Sequence, residues 1–145
     1  MKNISIDFHS QITSFILKKK TLIKQWIINT LSNENKTASQ ISFIFCDDQY
    51  LLNLNKEYLK HDTFTDIITF DYSEKGIISG DIFISIERVK ENAEKFETDF
   101  ETEFKRVLIH GVLHLCGYKD KSKQDKLLMR NKENFYLEQY SPVKK

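Results

Sequence analysis

Hydrophobic and polar positions change period several times along the chain, and each change marks a predicted element. ISIDFH (4–9) alternates as a short strand does, and Leu22, Ile23, Trp26, Ile27 and Leu31 then recur at the spacing of one helix face. The polar stretch SNENKTAS breaks this pattern. ISFIFCD (41–47), β-branched and aromatic, predicts a second strand, and YLLNLNKEYL (50–59) returns to helical spacing. TDIITFDY (65–72) and ISGDIFISI (78–86) predict two more strands, joined by the short polar SEKG in the manner of a hairpin or tight crossing. Three helices close the chain, near 87–97, 101–116 and 122–138. The last opens with Ser122 and Asp125, spaced as an N-cap and its capping-box partner. The predicted order is β-α-β-α-β-β-α-α-α. It describes an α+β fold in which a small mixed sheet of about four strands carries packed helices.

At 145 residues and 40% hydrophobic content, the expectation is one domain spanning 1–145 that buries roughly two-thirds of its unfolded surface. The net charge of +1 conceals 22 basic and 21 acidic residues, so a nucleic-acid partner must be argued from a local patch. Lys18, Lys19, Lys20 and Lys24 form one dense basic group, and Lys119, Lys121, Lys123 and Lys126 another. Solvated helix surface is the plain explanation for both, and attraction of phosphate is the alternative for the second. MKNISIDFHS lacks a signal-peptide core, no apolar run approaches the roughly 18 residues of a membrane span, and Cys46 and Cys116 are the only cysteines. A cytoplasmic protein with reduced thiols is expected, with no membrane partner.

The chemistry concentrates in HGVLHLCGYKD (110–120), which holds two of the four histidines. At 3.6 residues per turn, His110 and His114 lie about 40° apart on one helix face and one turn apart along it, so both imidazoles can reach one ion. Ile109, Val112, Leu113, Leu115 and Cys116 make this helix end apolar nearly all round, which predicts a central buried helix. Gly117 stands where a left-handed residue ends a helix, and the turn it allows can bring Asp120 back beside the histidines. Two neutral imidazoles and a carboxylate make a three-donor set for a catalytic divalent metal with a position left for water. A histidine in apolar surroundings is usually a satisfied core residue; the ordered set His110, His114, Gly117 and Asp120 carries the metal reading. Zinc proteases place their general base directly after the first histidine, where this chain has Gly111. Peptide hydrolysis is therefore disfavoured, and the glycine is expected to leave open space beside the ion for a bulky or polyanionic substrate.

HGVLHLCGYKD resembles the HGxLHLxGYDH signature of the YbeY family of metal-dependent endoribonucleases, which act in ribosomal RNA maturation and ribosome quality control. LNKEYLKHDTFTDIITF (54–70) is similar to that family's LNxxYRxxDxPTDVLSF segment, GDIFIS (80–85) to its GDIxIS strand, and Met129 with Glu133 to its M-x-x-x-E helix. The resemblance implies one zinc ion per chain held by His110, His114 and Asp120, and RNA as substrate, specifically rRNA on the ribosomal subunit, with no DNA. It departs from the family in two places. Asp120 stands at the usual third histidine; a carboxylate adds negative charge, makes bound water less acidic, and admits Ni, Mn or Fe. Leu59 stands at the usual arginine, leaving Lys60 and His61 beside it as substitutes, although lysine offers a point charge in place of a bidentate fork.

Lys60, His61 and Asp66 are accordingly the catalytic candidates, with Asp66, Thr65 and Thr69 placed to line a cleft or simply to occupy a strand entrance. Cys116 reads as a core thiol, Met129 as core filler, and Tyr118 as a residue that hydrogen-bonds the loop or covers the core. The leading expectation is RNA phosphodiester hydrolysis. Its runner-up is a ribosome-associated rRNA-binding factor with a mainly structural metal, followed by a metalloprotease and an iron oxygenase.

Overall fold

A computed structural model describes residues 4–60 and 63–140. The predicted elements occur in the predicted order: β1 (Ser5–Ser10), α1 (Lys20–Asn33), β2 (Thr37–Cys46), α2 (Asp48–Tyr58), β3 (Ile67–Asp71), β4 (Ile77–Ser85), α3 (Ile86–Lys95), α4 (Phe100–Leu115) and α5 (Lys123–Gln139). Four strands form one mixed sheet of order β1-β2-β4-β3, parallel except for β3, which runs antiparallel to β4. The β3–β4 connection is a hairpin. Its two central residues, Lys75 and Gly76, have φ of 53° and 79°, and Glu74 and Ile77 exchange both backbone hydrogen bonds around them. Two successive positive φ values are what a turn matched to strand twist requires.

Local chemistry fixes the helix starts. Asp47, Ser85 and Asp99 each accept a hydrogen bond from a backbone N–H three residues on, capping α2, α3 and α4, and Ser122 with Asp125 forms the expected capping box of α5. One strand departs from expectation. β2 begins at Thr37, inside the stretch read as a break, because TASQ pairs with β4 through backbone bonds that need no apolar side chains. A register shift between Ala38 and Gln40 also removes the alternation that would have revealed it.

The main core lies on one face of the sheet. Ile41, Phe43 and Phe45 of β2 and Ile82 and Ile84 of β4 meet Ile23, Ile27 and Leu31 of α1 and Leu108 and Val112 of α4. On the other face α2 sets Leu51 against Cys46 and Ile68. Helix α4 is the centre of the packing: from Val107 to Leu115 every residue is buried except His110 and His114. Two glycines bring it down onto the sheet. A β-carbon on Gly80 would lie 2.6 Å from the Phe70 carbonyl oxygen and 2.8 Å from Leu115 Cδ2, and one on Gly111 would lie 3.0 Å from both Ile67 and Ile82.

Gly111 therefore does not open space beside the histidines, contrary to the expectation from sequence. It lies about 100° around the helix from His110, so with His110 toward the opening, Gly111 meets the sheet. A carboxylate side chain at that position would be driven into Ile67 and Ile82.

Candidate metal centre

The end of α4 builds the site. Gly117 takes φ 111°, its N–H donates to the His114 carbonyl at 2.9 Å, and the Tyr118 N–H donates to the Leu113 carbonyl at 3.1 Å. This paired pattern is a Schellman motif, and it reverses the chain over the histidines. Two consequences follow. The Tyr118 carbonyl accepts a hydrogen bond from His114 Nδ1 at 2.9 Å, and Asp120 Oδ2 arrives 3.3 Å from Nε2 of both His110 and His114.

A carbonyl only accepts, so His114 carries its proton on Nδ1. Its neutral form then presents a lone pair at Nε2 toward Asp120. His110 is oriented the same way, with Nδ1 donating to Glu133 Oε2 at 2.5 Å. Two such lone pairs and a carboxylate oxygen repel one another unless positive charge stands among them. One donor atom from each of His110, His114 and Asp120 lies within 4.8 Å of the others, an arrangement that can hold a metal ion. Ligands about 2.0–2.1 Å from a tetrahedral ion are separated by about 3.3–3.4 Å, the spacing of the carboxylate oxygen from each imidazole. The donor set fits.

Behind these residues lies an acceptor network that the sequence reading did not assign. Glu133, 5% exposed, receives His110 on one oxygen and Arg106 Nη1 on the other at 3.0 Å, while Arg106 Nη2 donates to Asn134. Burial works to raise the Glu133 pKa, but the hydrogen bonds and charges of His110 and Arg106 prevail and hold it below the usual glutamate value. For His110, burial disfavours the charged ring; the Glu133 hydrogen bond and charge, with Asp120 and Asp66, outweigh it and raise the pKa. A second anchor holds the loop. The Tyr118 hydroxyl donates to Glu34 Oε1 at 2.8 Å, and the same carboxylate takes Tyr136 and Lys132. The sequence signal for Glu133 was its place with Met129 in the M-x-x-x-E resemblance, which assigned it no role. Nothing local pointed to Glu34.

The three donors face an open cleft of about 800 Å³. Asp66, Thr65 and Thr69 line it, as do Leu59, Lys121, Glu103, Arg106 and Arg130. Burial raises the Asp66 pKa, and burial with the charges of Asp66 and Glu133 raises that of Glu103. Lys60 is exposed, at φ 60° just past α2, and is not among the lining residues described. His61 lies outside the described residues. Cys116 stays out of the donor cluster, its thiol pushed up to about 11 by burial, and Met129 is core. Among the described residues, no helix is long and apolar enough to cross a membrane.

A family model described as Endoribonuclease YbeY matches residues 6–141. Similar relatives bear the same name: one from Flavobacterium psychrophilum is 55% identical over 89% of this chain and 91% of its own, and one from Christiangramia forsetii is 49% identical over 96% and 100%. The solution structure of TM1509 from Thermotoga maritima aligns with a TM-score of 0.65 at 27% identity, covering 95% of this chain and 89% of that one. Matched nearly end to end by that family model and by relatives about half identical to it, the chain belongs to the YbeY endoribonuclease family.

Proposed function

We propose that this chain is a metal-dependent endoribonuclease that cleaves phosphodiesters of ribosomal RNA in the cytoplasm, with the whole activity in one domain. The observation that carries the reading is the meeting of His110 and His114 with the Asp120 carboxylate oxygen, each 3.3 Å from it, facing an open cleft of about 800 Å³. These three residues hold one divalent ion, zinc by the nitrogen-rich donor set; the carboxylate also suits Ni, Mn or Fe. When bound, the ion supplies Lewis acidity toward a phosphoryl oxygen.

The chain's own residues do the rest. Glu133 and the Tyr118 carbonyl lock both imidazoles with Nε2 toward Asp120, where the three would hold the ion. Asp66, its acidity weakened by burial, is the cleft carboxyl that exchanges a proton with the attacking or departing oxygen. Lys121 draws the backbone toward the cleft. The resemblance to the family favours rRNA over other RNA, and the relatives bear the name endoribonuclease.

Cleavage of an rRNA fragment by metal-clean, nuclease-free protein tests the reading. His114→Ala and Asp120→Ala are expected to abolish it together, and cleavage retained by both variants refutes the assignment. A 2′,3′-cyclic phosphate end would identify the 2′-hydroxyl as nucleophile, and a 5′-phosphate with a 3′-hydroxyl would identify water. Leu59 favours a second reading, an rRNA-binding factor with a mainly structural metal, because it lines the cleft without contributing charge. That reading predicts RNA binding without cleavage.

A further inference from the structure

A strand laid across the candidate metal needs a cation beside it to hold phosphate, and the described residues narrow which one can serve. The chain has three arginines, at 88, 106 and 130. Arg88 is committed to Asp48 at 2.7 Å and Glu91 at 2.9 Å, and Arg106 to Glu133 and Asn134. Arg130 makes no hydrogen bond or ion pair with any described residue, and it is exposed. It still leans over the cleft, close enough to Glu103 for its charge to favour that carboxylate.

Its position matters more than its freedom. The 800 Å³ cleft and an adjoining hollow of about 260 Å³ share four lining residues, His110, Asp120, Glu133 and Arg130. Arg130 therefore stands on the rim where the two spaces meet, beside two of the three candidate ligands. Lys121 lines the cleft and Lys126 the hollow, so positive charge continues on both sides. Lys126 and Arg130 are four residues apart on α5 and lie on one face of it.

We propose that Arg130 is the phosphate-gripping residue: its guanidinium fork holds two non-bridging oxygens of a phosphodiester in a single RNA strand that runs from the cleft, past the His110–Asp120 site, into the Lys126 hollow. The fork geometry suits a phosphate held by two parallel hydrogen bonds, which a lysine cannot reproduce. The assignment rests on the RNA-cleaving reading above.

The test separates the two. Metal-free protein, held in chelator so that no cleavage occurs, is titrated into a dye-labelled single-stranded RNA oligonucleotide at several salt concentrations and followed by anisotropy. Arg130→Gln is expected to weaken binding about tenfold and to reduce the slope of log affinity against log salt by about 0.7, the loss of one single-strand phosphate contact. Arg130→Lys should recover the slope but only part of the affinity. Lys24→Gln, a loss of the same charge at an exposed position of α1, should match wild type. If wild type binds and Arg130→Gln keeps its affinity and slope, the Arg130 assignment is wrong while the enzymatic reading stands. If Lys24→Gln weakens binding as much as Arg130→Gln, the contact is nonspecific charge and the assignment also falls. Wild type that neither binds nor cleaves RNA sinks the parent reading.

Discussion

Replacing Glu133 by glutamine keeps the shape of the side chain and removes its charge where it serves two donors at once. One oxygen receives His110 Nδ1 at 2.5 Å and the other receives Arg106 Nη1 at 3.0 Å. An amide has a single acceptor oxygen. Whichever way it turns, its NH2 group faces one of the two donors, at a side chain only 6% exposed. Losing a hydrogen bond to a charged group there costs about 1.5–3 kcal/mol of stability. If His110 is a metal ligand, its ring also loses the partner that fixes its tautomer and raises its basicity. Such losses weaken metal binding about 10- to 100-fold, or about 1.4–2.7 kcal/mol. Competition against a chromophoric zinc chelator measures the affinity, and thermal melting of the metal-free protein measures the stability separately. A folded Glu133→Gln protein that binds zinc within twofold of wild type would refute the orienting role of Glu133.

Two further perturbations probe the scaffold. Burial works to raise the Glu34 pKa, but hydrogen bonds from Tyr136 and Tyr118 and the charge of Lys132 hold it below its ordinary value of 4.5. A depressed carboxyl pKa contributes stability above 4.5 that is lost as pH falls through the folded value. Glu34→Gln should therefore be less stable than wild type at pH 7 by about 1.5–3 kcal/mol, with the gap closing below pH 4.5 in urea titrations; a gap independent of pH would count against it. Gly111→Val adds methyl groups beyond a β-carbon that already lies 3.0 Å from Ile67 and Ile82. Overpacking of about 1–3 kcal/mol should lower the melting temperature by several degrees, and an unchanged melting temperature would show that α4 can lift from the sheet.

Much of the fold was legible because its elements carry their own period. Ile23, Ile27 and Leu31 mark one face of α1, and Ser122 with Asp125 announced α5 before any packing was known. The start of β2 was hidden because TASQ is held by backbone pairing and a register shift, neither of which leaves an apolar signature. At the site, His110, His114, Gly117 and Asp120 belong to one local turn, so their convergence could be read from spacing. Glu133 and Arg106 meet across α4 and α5, and Glu34 reaches Tyr118 from just past the end of α1. Contacts between residues so far apart in the chain have no sequence period to reveal them. Gly111 departs from expectation for a related reason: the helical wheel shows which way it points only once the sheet beneath it is known.

The central claim is that the two imidazoles and Asp120 hold one cation. Direct measurement of metal stoichiometry and zinc affinity, by elemental analysis and chelator competition on wild type, His114→Ala and Asp120→Ala, tests it. One ion per wild-type chain is expected, with affinity lost by at least two orders of magnitude in both variants while each remains folded. Wild-type protein that takes up no divalent metal, or variants that retain it at wild-type affinity, would contradict the account.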